Sequence, residues 1–132
     1  MDTMLHDILI NTYNPDPVAR KEAENALDQY LHNSGAFYSL LDFTKSADMS
    51  RDLRLAASIV AKNKARNYWR TDEDILPISA EEKETCKVLL LDILLVETDT
   101  AIRGMLAETV KTIAEYDFPS RYELHATLYI SL

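Results

Sequence analysis

Apolar residues recur at steps of three and four positions along most of the 132-residue chain, and alternating apolar and polar runs are absent. Steps of this size place apolar side chains along one face of an α-helix. The pattern therefore predicts an all-α protein. The predicted helices cover about 2–13, 15–32, 35–47, 50–70, 79–97, 99–116 and a last segment that starts near 119.

Residues that favour helix starts support these boundaries. In the NPDP segment, Asp16 precedes a helix that carries Pro17 in its first turn, where a missing N–H costs nothing. Ser79 followed three residues later by Glu82 fits a capping box. Asp99 is placed to cap the sixth helix by accepting hydrogen bonds from its free amides.

The helices form pairs, and the second members resemble one another when they are aligned on Arg20, Arg54 and Arg103. Apolar residues then coincide one position before each arginine and three, seven and eleven positions after it. Irregular helix-pair repeats of about 40 residues are typical of HEAT arrays. We predict one domain over 1–132, a right-handed HEAT-repeat α-solenoid that is a fragment of a longer protein. Its repeats would cover about 2–32, 35–70, 79–116 and a first helix from about 119, about three and a half in all. A compact helical bundle with accidental self-similarity is the alternative.

Charged residues recur at the starts of the second helices. Asp16 stands four residues before Arg20, and Asp99 stands four residues before Arg103. This spacing places acid and base above one another on a helix. Together with Arg54, these residues are predicted to form a ladder along the stacked repeats.

The charge of the chain is unevenly distributed. The formal net charge is −8 and the pI about 4.8, which argues against general nucleic-acid binding because phosphate contacts need a basic surface. Residues 51–70 nevertheless hold six of the 14 Lys and Arg but one of the 22 Asp and Glu. Such a cationic segment in an acidic chain suits a partner with acidic groups.

The fourth predicted helix mixes aliphatic and cationic residues on one side. At about 100° per residue, Leu55 and Ile59 share that side with Lys62 and Arg66. This mixture suits either a groove shared with neighbouring helices or a docking face for a charged partner. Trp69, at the helix end, is predicted to close a layer of the core.

No pattern in the sequence predicts an enzyme, a metal site or a cofactor. The histidines His6, His32 and His125 are scattered along the chain, and there is no glycine-rich phosphate loop. The single Cys86 lies in an apolar helical pattern and is predicted to be a buried, unreactive thiol. A small helical enzyme or ligand-binding bundle is thus a weaker alternative. No signal peptide and no apolar run of about 20 residues is present, so the expected location is cytosol or nucleus and membrane insertion is not expected.

Four segments, in order, resemble the N-terminal domain of the importin-β (karyopherin-β) family of nuclear transport receptors, and they cover nearly the whole chain. They are NPDPVARKEAENAL, RLAASIVAKNKARNYW, ISAEEKETCKVLLLDIL and IRGMLAETVKTIAEYDFPSRYEL. The sequence departs from the family pattern at Ala65, at Gly104 and Met105, and at Tyr122, where tryptophan is usual. These departures change core volumes and leave the family branch open.

The resemblance implies a HEAT solenoid that binds the small GTPase Ran in its GTP form on a concave face lined by the second helices. Ran-GTP binding would control the binding and release of protein cargo as the receptor shuttles between cytoplasm and nucleus. Cargo and FG-nucleoporin sites are expected in later repeats, outside this chain. The residues that the resemblance assigns to Ran binding are Lys62, Asn63, Lys64, Arg66 and Lys111.

The alternative function is a HEAT- or armadillo-like protein-interaction scaffold that does not bind Ran. The direction of transport and the cargo stay open. The last predicted helix carries Leu124, Leu128 and Ile130, and an exposed apolar face there would support a dimer.

Overall fold

The computed structural model describes residues 3–69 and 78–117, which form six α-helices and no β-strand. The helices are α1 (Thr3–Asn11), α2 (Pro17–Tyr30), α3 (Ala36–Lys45), α4 (Arg51–Tyr68), α5 (Ala80–Val96) and α6 (Thr100–Tyr116). The all-α prediction is confirmed, and each of these helices lies within two residues of its predicted bounds. The predicted helix from 119, with the dimer surface assigned to it, lies outside the described residues.

The helices pack as stacked pairs. Helix α1 contacts α2, α3 contacts α4, and α5 contacts α6. The second pair then stacks on the third through two layers, with α3 against α5 and α4 against α6. The first pair joins the stack through α1, which packs against α4. This is the architecture of a HEAT-like solenoid, as predicted, and the core runs continuously between its two layers.

Small residues on α4 allow close packing against its neighbours. Ala57 and Ala61 are fully buried, and so are Leu106 and Val110 of α6, which stand at the same offsets from the aligned arginines. The distance between helices depends on the side chains at the contact, so alanine on one helix accommodates the larger residues of the other. The repeat pattern in the sequence therefore corresponds to equivalent buried positions on α4 and α6.

The helix starts are capped as the sequence predicts. Asp16 accepts a hydrogen bond from the Val18 amide at 3.3 Å, and Pro17 begins α2. Asp99 accepts from the amides of Ala101 and Ile102, both at 3.0 Å. These caps satisfy amides that have no partner inside the helix.

The predicted capping box at α5 is only half formed. Ser79 Oγ accepts from the Glu82 amide at 3.1 Å, as expected. The Glu82 carboxylate instead accepts from the amides of Gly35 at 3.0 Å and Tyr38 at 3.2 Å, at the start of α3. Gly35 has a φ of +84°, which favours glycine, and it offers no side chain to cap α3 itself. Glu82 of the third helix pair therefore caps a helix of the second.

Candidate protein-binding face

Helix α4 presents cations that pair with no carboxylate of the described residues. Lys62 is half-buried, and Asn63 and Arg66 are exposed. Within residues 3–69 and 78–117, no carboxylate lies within 4 Å of the Lys62 ammonium or the Arg66 guanidinium. Leu55 and Ile59, on the same side of the helix, are also partly exposed. This side of α4 therefore offers apolar surface together with free positive charge.

Helix α6 adds one cation at an equivalent position. Lys111 stands eight residues after Arg103, as Lys62 stands eight residues after Arg54, and α4 packs against α6. Lys111 is exposed, and its ammonium is 3.7 Å from a Glu108 carboxylate oxygen. A pair this exposed contributes little, so Lys111 is available to a partner. We call the set Lys62, Asn63, Arg66 and Lys111 the cation face.

Lys64 does not belong to this face, contrary to expectation. Its residue surface is 5 % exposed, its ammonium donates to the Leu31 carbonyl at 2.5 Å, and it lies 4.7 Å from the centre of the Tyr68 ring. Burial lowers the pKa of Lys64, and the nearby Glu82 carboxylate acts in the opposite direction. Its ammonium is thus directed into the fold, where it ties the end of α2 to α4. Its spacing of three from Ala61 and seven from Ala57 was the signal that placed it on the buried side.

Two ion pairs join the second and third helix pairs. Arg51 Nε lies 2.8 Å from Asp99 Oδ2, and this contact, with the capping amides, lowers the pKa of Asp99 to about 2. Arg54 pairs with Glu97, whose side chain is 5 % exposed, and Arg54 Nε also donates to the Thr44 carbonyl at 2.7 Å. The start of α4 is thereby fixed to the loop between α5 and α6.

The predicted ladder residues are therefore used in different ways. Arg54 and Asp99 contact the neighbouring repeat, but their partners are Glu97 and Arg51, which sequence reasoning did not single out. Arg20 donates to the Asn14 carbonyl at 3.3 Å, beside the cap formed by Asp16. The Arg103 guanidinium donates to the Leu94 carbonyl within its own helix pair. The ladder prediction named these residues but not their partners, and both Asp16 and Asp99 also cap their helices.

A buried aromatic cluster closes the other end of α4. Trp69 is 1 % exposed, which confirms its prediction as a core residue, and its ring packs edge-on to Phe37 at 5.8 Å between centroids. Its indole N–H donates to Asp117 Oδ1 at 3.2 Å. Asp117 Oδ2 in turn lies 2.5 Å from the Lys87 ammonium. This cluster fixes the C-terminal ends of α4 and α6 against α5.

The described residues contain little that could support catalysis. Cys86 is fully buried, as predicted, and burial raises the pKa of its thiol to about 12. A thiol held protonated is a poor nucleophile. In residues 3–69 and 78–117, no group of three or more His, Cys, Asp or Glu side chains is arranged to hold a metal ion. No helix described here has both the length and the apolar character needed to cross a membrane.

The fold and this face define a helical-repeat protein of the HEAT type with a charged surface on its second helices. Residues 23–96 match the importin-beta N-terminal domain family, which is more than half of the chain. The chain therefore belongs to the importin-β family.

Individual relatives agree with this assignment. The chain is 32 % identical over 118 residues to the importin-alpha re-exporter of Schizosaccharomyces pombe, and 31 % over 124 residues to a probable importin-7 homolog of Dictyostelium discoideum. It is 24 % identical over 120 residues to exportin-2 of Dictyostelium discoideum. These matches cover 88 %, 92 % and 89 % of this chain, but only 12 %, 12 % and 13 % of the relatives.

Proposed function

We propose that this chain is the N-terminal module of a nuclear transport receptor and binds the GTP form of Ran through the cation face on α4 and α6. Membership of the importin-β family supports the receptor role. The names of the relatives include both importins and exportins, so the proposal does not extend to the direction of transport. We assign the binding sites for protein cargo and FG-nucleoporins to later repeats, outside this chain.

The observation that carries the proposal is the free positive charge on α4 in a chain of net charge −8. The other basic side chains of α4 are held in internal contacts: Arg51 and Arg54 in ion pairs, and Lys64 on a carbonyl. Lys62 and Arg66 have no carboxylate partner among the described residues and keep their charge available to a partner. That arrangement attracts an acidic patch and disfavours a basic one, which provides orientation as well as affinity.

Selectivity for one nucleotide state follows from the rigidity of the face. Helix α4 is fixed at its start by the ion pairs of Arg51 and Arg54 and at its end by Trp69. A rigid set of cations binds the partner conformation whose acids match it, so it shifts the partner towards that conformation. The nucleotide enters with the partner, and no cofactor, nucleic acid or membrane is needed. The role implies shuttling between cytoplasm and nucleus.

Binding to Ran loaded with a GTP analogue, compared with Ran loaded with GDP, tests the proposal. We expect selective binding to the GTP-analogue form and a loss of at least about tenfold in affinity for Lys62→Glu with Arg66→Glu, because each reversal replaces attraction by repulsion. The matched control is Lys21→Glu with Lys45→Glu, which changes net charge equally at exposed lysines on α2 and α3. The control should keep its affinity.

Each remaining outcome has a defined meaning. Selective binding that survives in the Lys62 and Arg66 variant would retain Ran as the partner but remove the cation face as its site. Failure of both this chain and a full-length receptor that contains it to bind either form of Ran would favour the alternative, a HEAT scaffold that does not bind Ran.

A further inference from the structure

An apolar cleft lies between the end of α1 and the start of α4. It has a volume of about 470 Å³ and is lined by Ile10, Tyr13, Asp52, Leu53 and Leu55. We call it the α1–α4 cleft. Ile10 is 45 % exposed and Tyr13 is 66 % exposed, so both present apolar surface to solvent. Exposed apolar side chains that converge on a concavity are typical of interaction sites rather than of isolated surface residues.

The packing of the first helix pair explains why the cleft is open. Helix α2 packs against α1, and α1 in turn packs against α4. The Lys64 contact to the Leu31 carbonyl joins the C-terminal end of α2 to the second half of α4, away from the cleft. The cleft therefore lies where α1 ends and α4 begins, and the described residues leave its apolar walls accessible.

The rim of the cleft is acidic. The Asp52 side chain is 93 % exposed, and its nearest cation, Arg51, is 3.5 Å away. Arg51 makes its shorter contact, 2.8 Å, with Asp99 instead. Asp7 stands one helical turn before Ile10 and its side chain is 76 % exposed. An apolar cleft lined by the exposed carboxylate of Asp52 complements an apolar side chain next to a Lys or Arg.

The cleft is continuous with the cation face along one side of α4. Leu55, Ile59, Lys62 and Arg66 follow one another at steps of four, three and four residues. Leu55 lines the cleft, and Lys62 lies about 10 Å further along the helix axis, at about 1.5 Å per residue. A single partner segment can therefore span both surfaces.

We infer that the α1–α4 cleft is a second docking point for the partner of the cation face, and that it receives an apolar side chain next to a Lys or Arg of that partner. This inference rests on the proposed function and extends it. The α4 surface then has opposite charge preferences at its two ends. It binds basic groups near Asp52 and acidic groups near Lys62 and Arg66, which fixes the direction in which a partner lies along the helix.

The test compares two pairs of substitutions in binding to Ran loaded with a GTP analogue. Ile10→Ser with Tyr13→Ser removes apolar surface from the cleft. Val88→Ser with Leu95→Ser removes exposed apolar surface from α5, outside the cleft, at residues that are 63 % and 55 % exposed. We expect the cleft pair to lose about tenfold in affinity and the control pair to stay within about twofold of wild type. Circular dichroism melts of both variants check that the fold is retained.

A third variant tests the acidic rim without changing the apolar walls. Asp52→Lys should weaken binding by severalfold, whereas Asp92→Lys, at an exposed position on α5, should not. Unchanged affinity in the cleft pair, or equal losses in the cleft and control pairs, would overturn the inference. The proposed function would stand in either case, because wild type still binds. Absence of binding to both nucleotide forms, by wild type and by a full-length receptor that contains it, would overturn both.

Discussion

The indole N–H of Trp69 donates to a carboxylate oxygen of Asp117, 48 residues further along the chain, at 3.2 Å. The same carboxylate lies 2.5 Å from the Lys87 ammonium. One aspartate at the end of α6 therefore satisfies a buried donor from α4 and a cation from α5. Trp69 and Asp117 belong to different sequence segments that resemble the importin-β family. Their contact gives a physical reason for the presence of each residue in its segment.

Trp69→Phe should lower the free energy of unfolding by about 1–2 kcal/mol. Phenylalanine keeps an aromatic ring against Phe37 but loses the N–H and part of the buried volume. Urea unfolding followed by circular dichroism measures the change, since Trp69 is the only tryptophan. The exposed substitution Tyr38→Phe is the control and should cost less than about 0.5 kcal/mol. A Trp69→Phe variant as stable as this control would contradict the importance of the contact.

Arg54→Met should cost about 3 kcal/mol of stability. The Glu97 side chain is 5 % exposed, and removal of its arginine leaves a buried carboxylate without a cation. Adding Glu97→Gln should recover most of the loss, because the remaining side chain is uncharged and still accepts from the Thr98 and Asp99 amides through its carbonyl. Chemical unfolding of both single variants and the double variant gives the coupling energy. A double variant no more stable than Arg54→Met would be inconsistent with this explanation.

Lys64→Met should weaken the attachment of α2 without changing partner affinity. Methionine keeps most of the buried stem, but the Leu31 carbonyl loses its donor, at a cost of about 1 kcal/mol. Amide hydrogen exchange should show lower protection at the end of α2. Lys62→Met, two residues away on the partly exposed side, should do the reverse and weaken binding while leaving exchange unchanged. Loss of binding in Lys64→Met alone, at unchanged exchange, would restore Lys64 to the binding face.

The contribution of Asp99 to stability should disappear in acid. Its pKa is lowered from 3.8 to about 2 in the folded protein, so folding favours the ionised form. The unfolded chain then binds more protons than the folded one as pH falls, and stability present above about pH 4 is lost as the pH approaches 2. Asp99→Asn keeps a capping side chain but should show a shallower loss of stability between pH 4 and pH 2.

Asp16→Asn is the matched control for this pH dependence. Asp16 also caps a helix, but no cationic side chain among the described residues lies within 4 Å of it. Thermal melts across the acid range should therefore change less in Asp16→Asn than in Asp99→Asn. Equal slopes in wild type and Asp99→Asn would show that the Arg51 contact does not stabilise the ionised carboxylate.

The sequence predicted the helices well because their determinants are local. Caps such as Asp16 and Asp99 and the recurrence of buried positions such as Ala57 and Ala61 are set within one or two turns. The contacts between repeats were predicted poorly because their partners are distant in sequence. Asp99 was predicted to join a ladder along the repeats, but its partner Arg51 in the preceding helix pair was not named. No local pattern could identify that partner, since its position depends on how α4 stacks against α6.

In the candidate face, too, local features were predicted better than contacts between distant residues. Helical spacing predicted that Lys62 and Arg66 share one side of α4, and no carboxylate of the described residues lies within 4 Å of either charge. The resemblance placed Lys64 with them, although its spacing matches the buried alanines. The α1–α4 cleft was not predicted, because Ile10 and Tyr13 come from one helix pair and Leu55 from the next.

The second repeat depends on Glu82 of the third repeat to complete the start of one of its helices. The start of α3 is completed by a carboxylate 47 residues later, contributed by the following repeat. Repeat proteins are commonly treated as interchangeable modules whose stabilities add with those of their interfaces. Here the module boundary does not coincide with the repeat boundary, because an exchanged or missing third repeat leaves the Gly35 and Tyr38 amides of the second repeat without their acceptor. The smallest unit that could be transplanted into another solenoid is therefore two consecutive repeats.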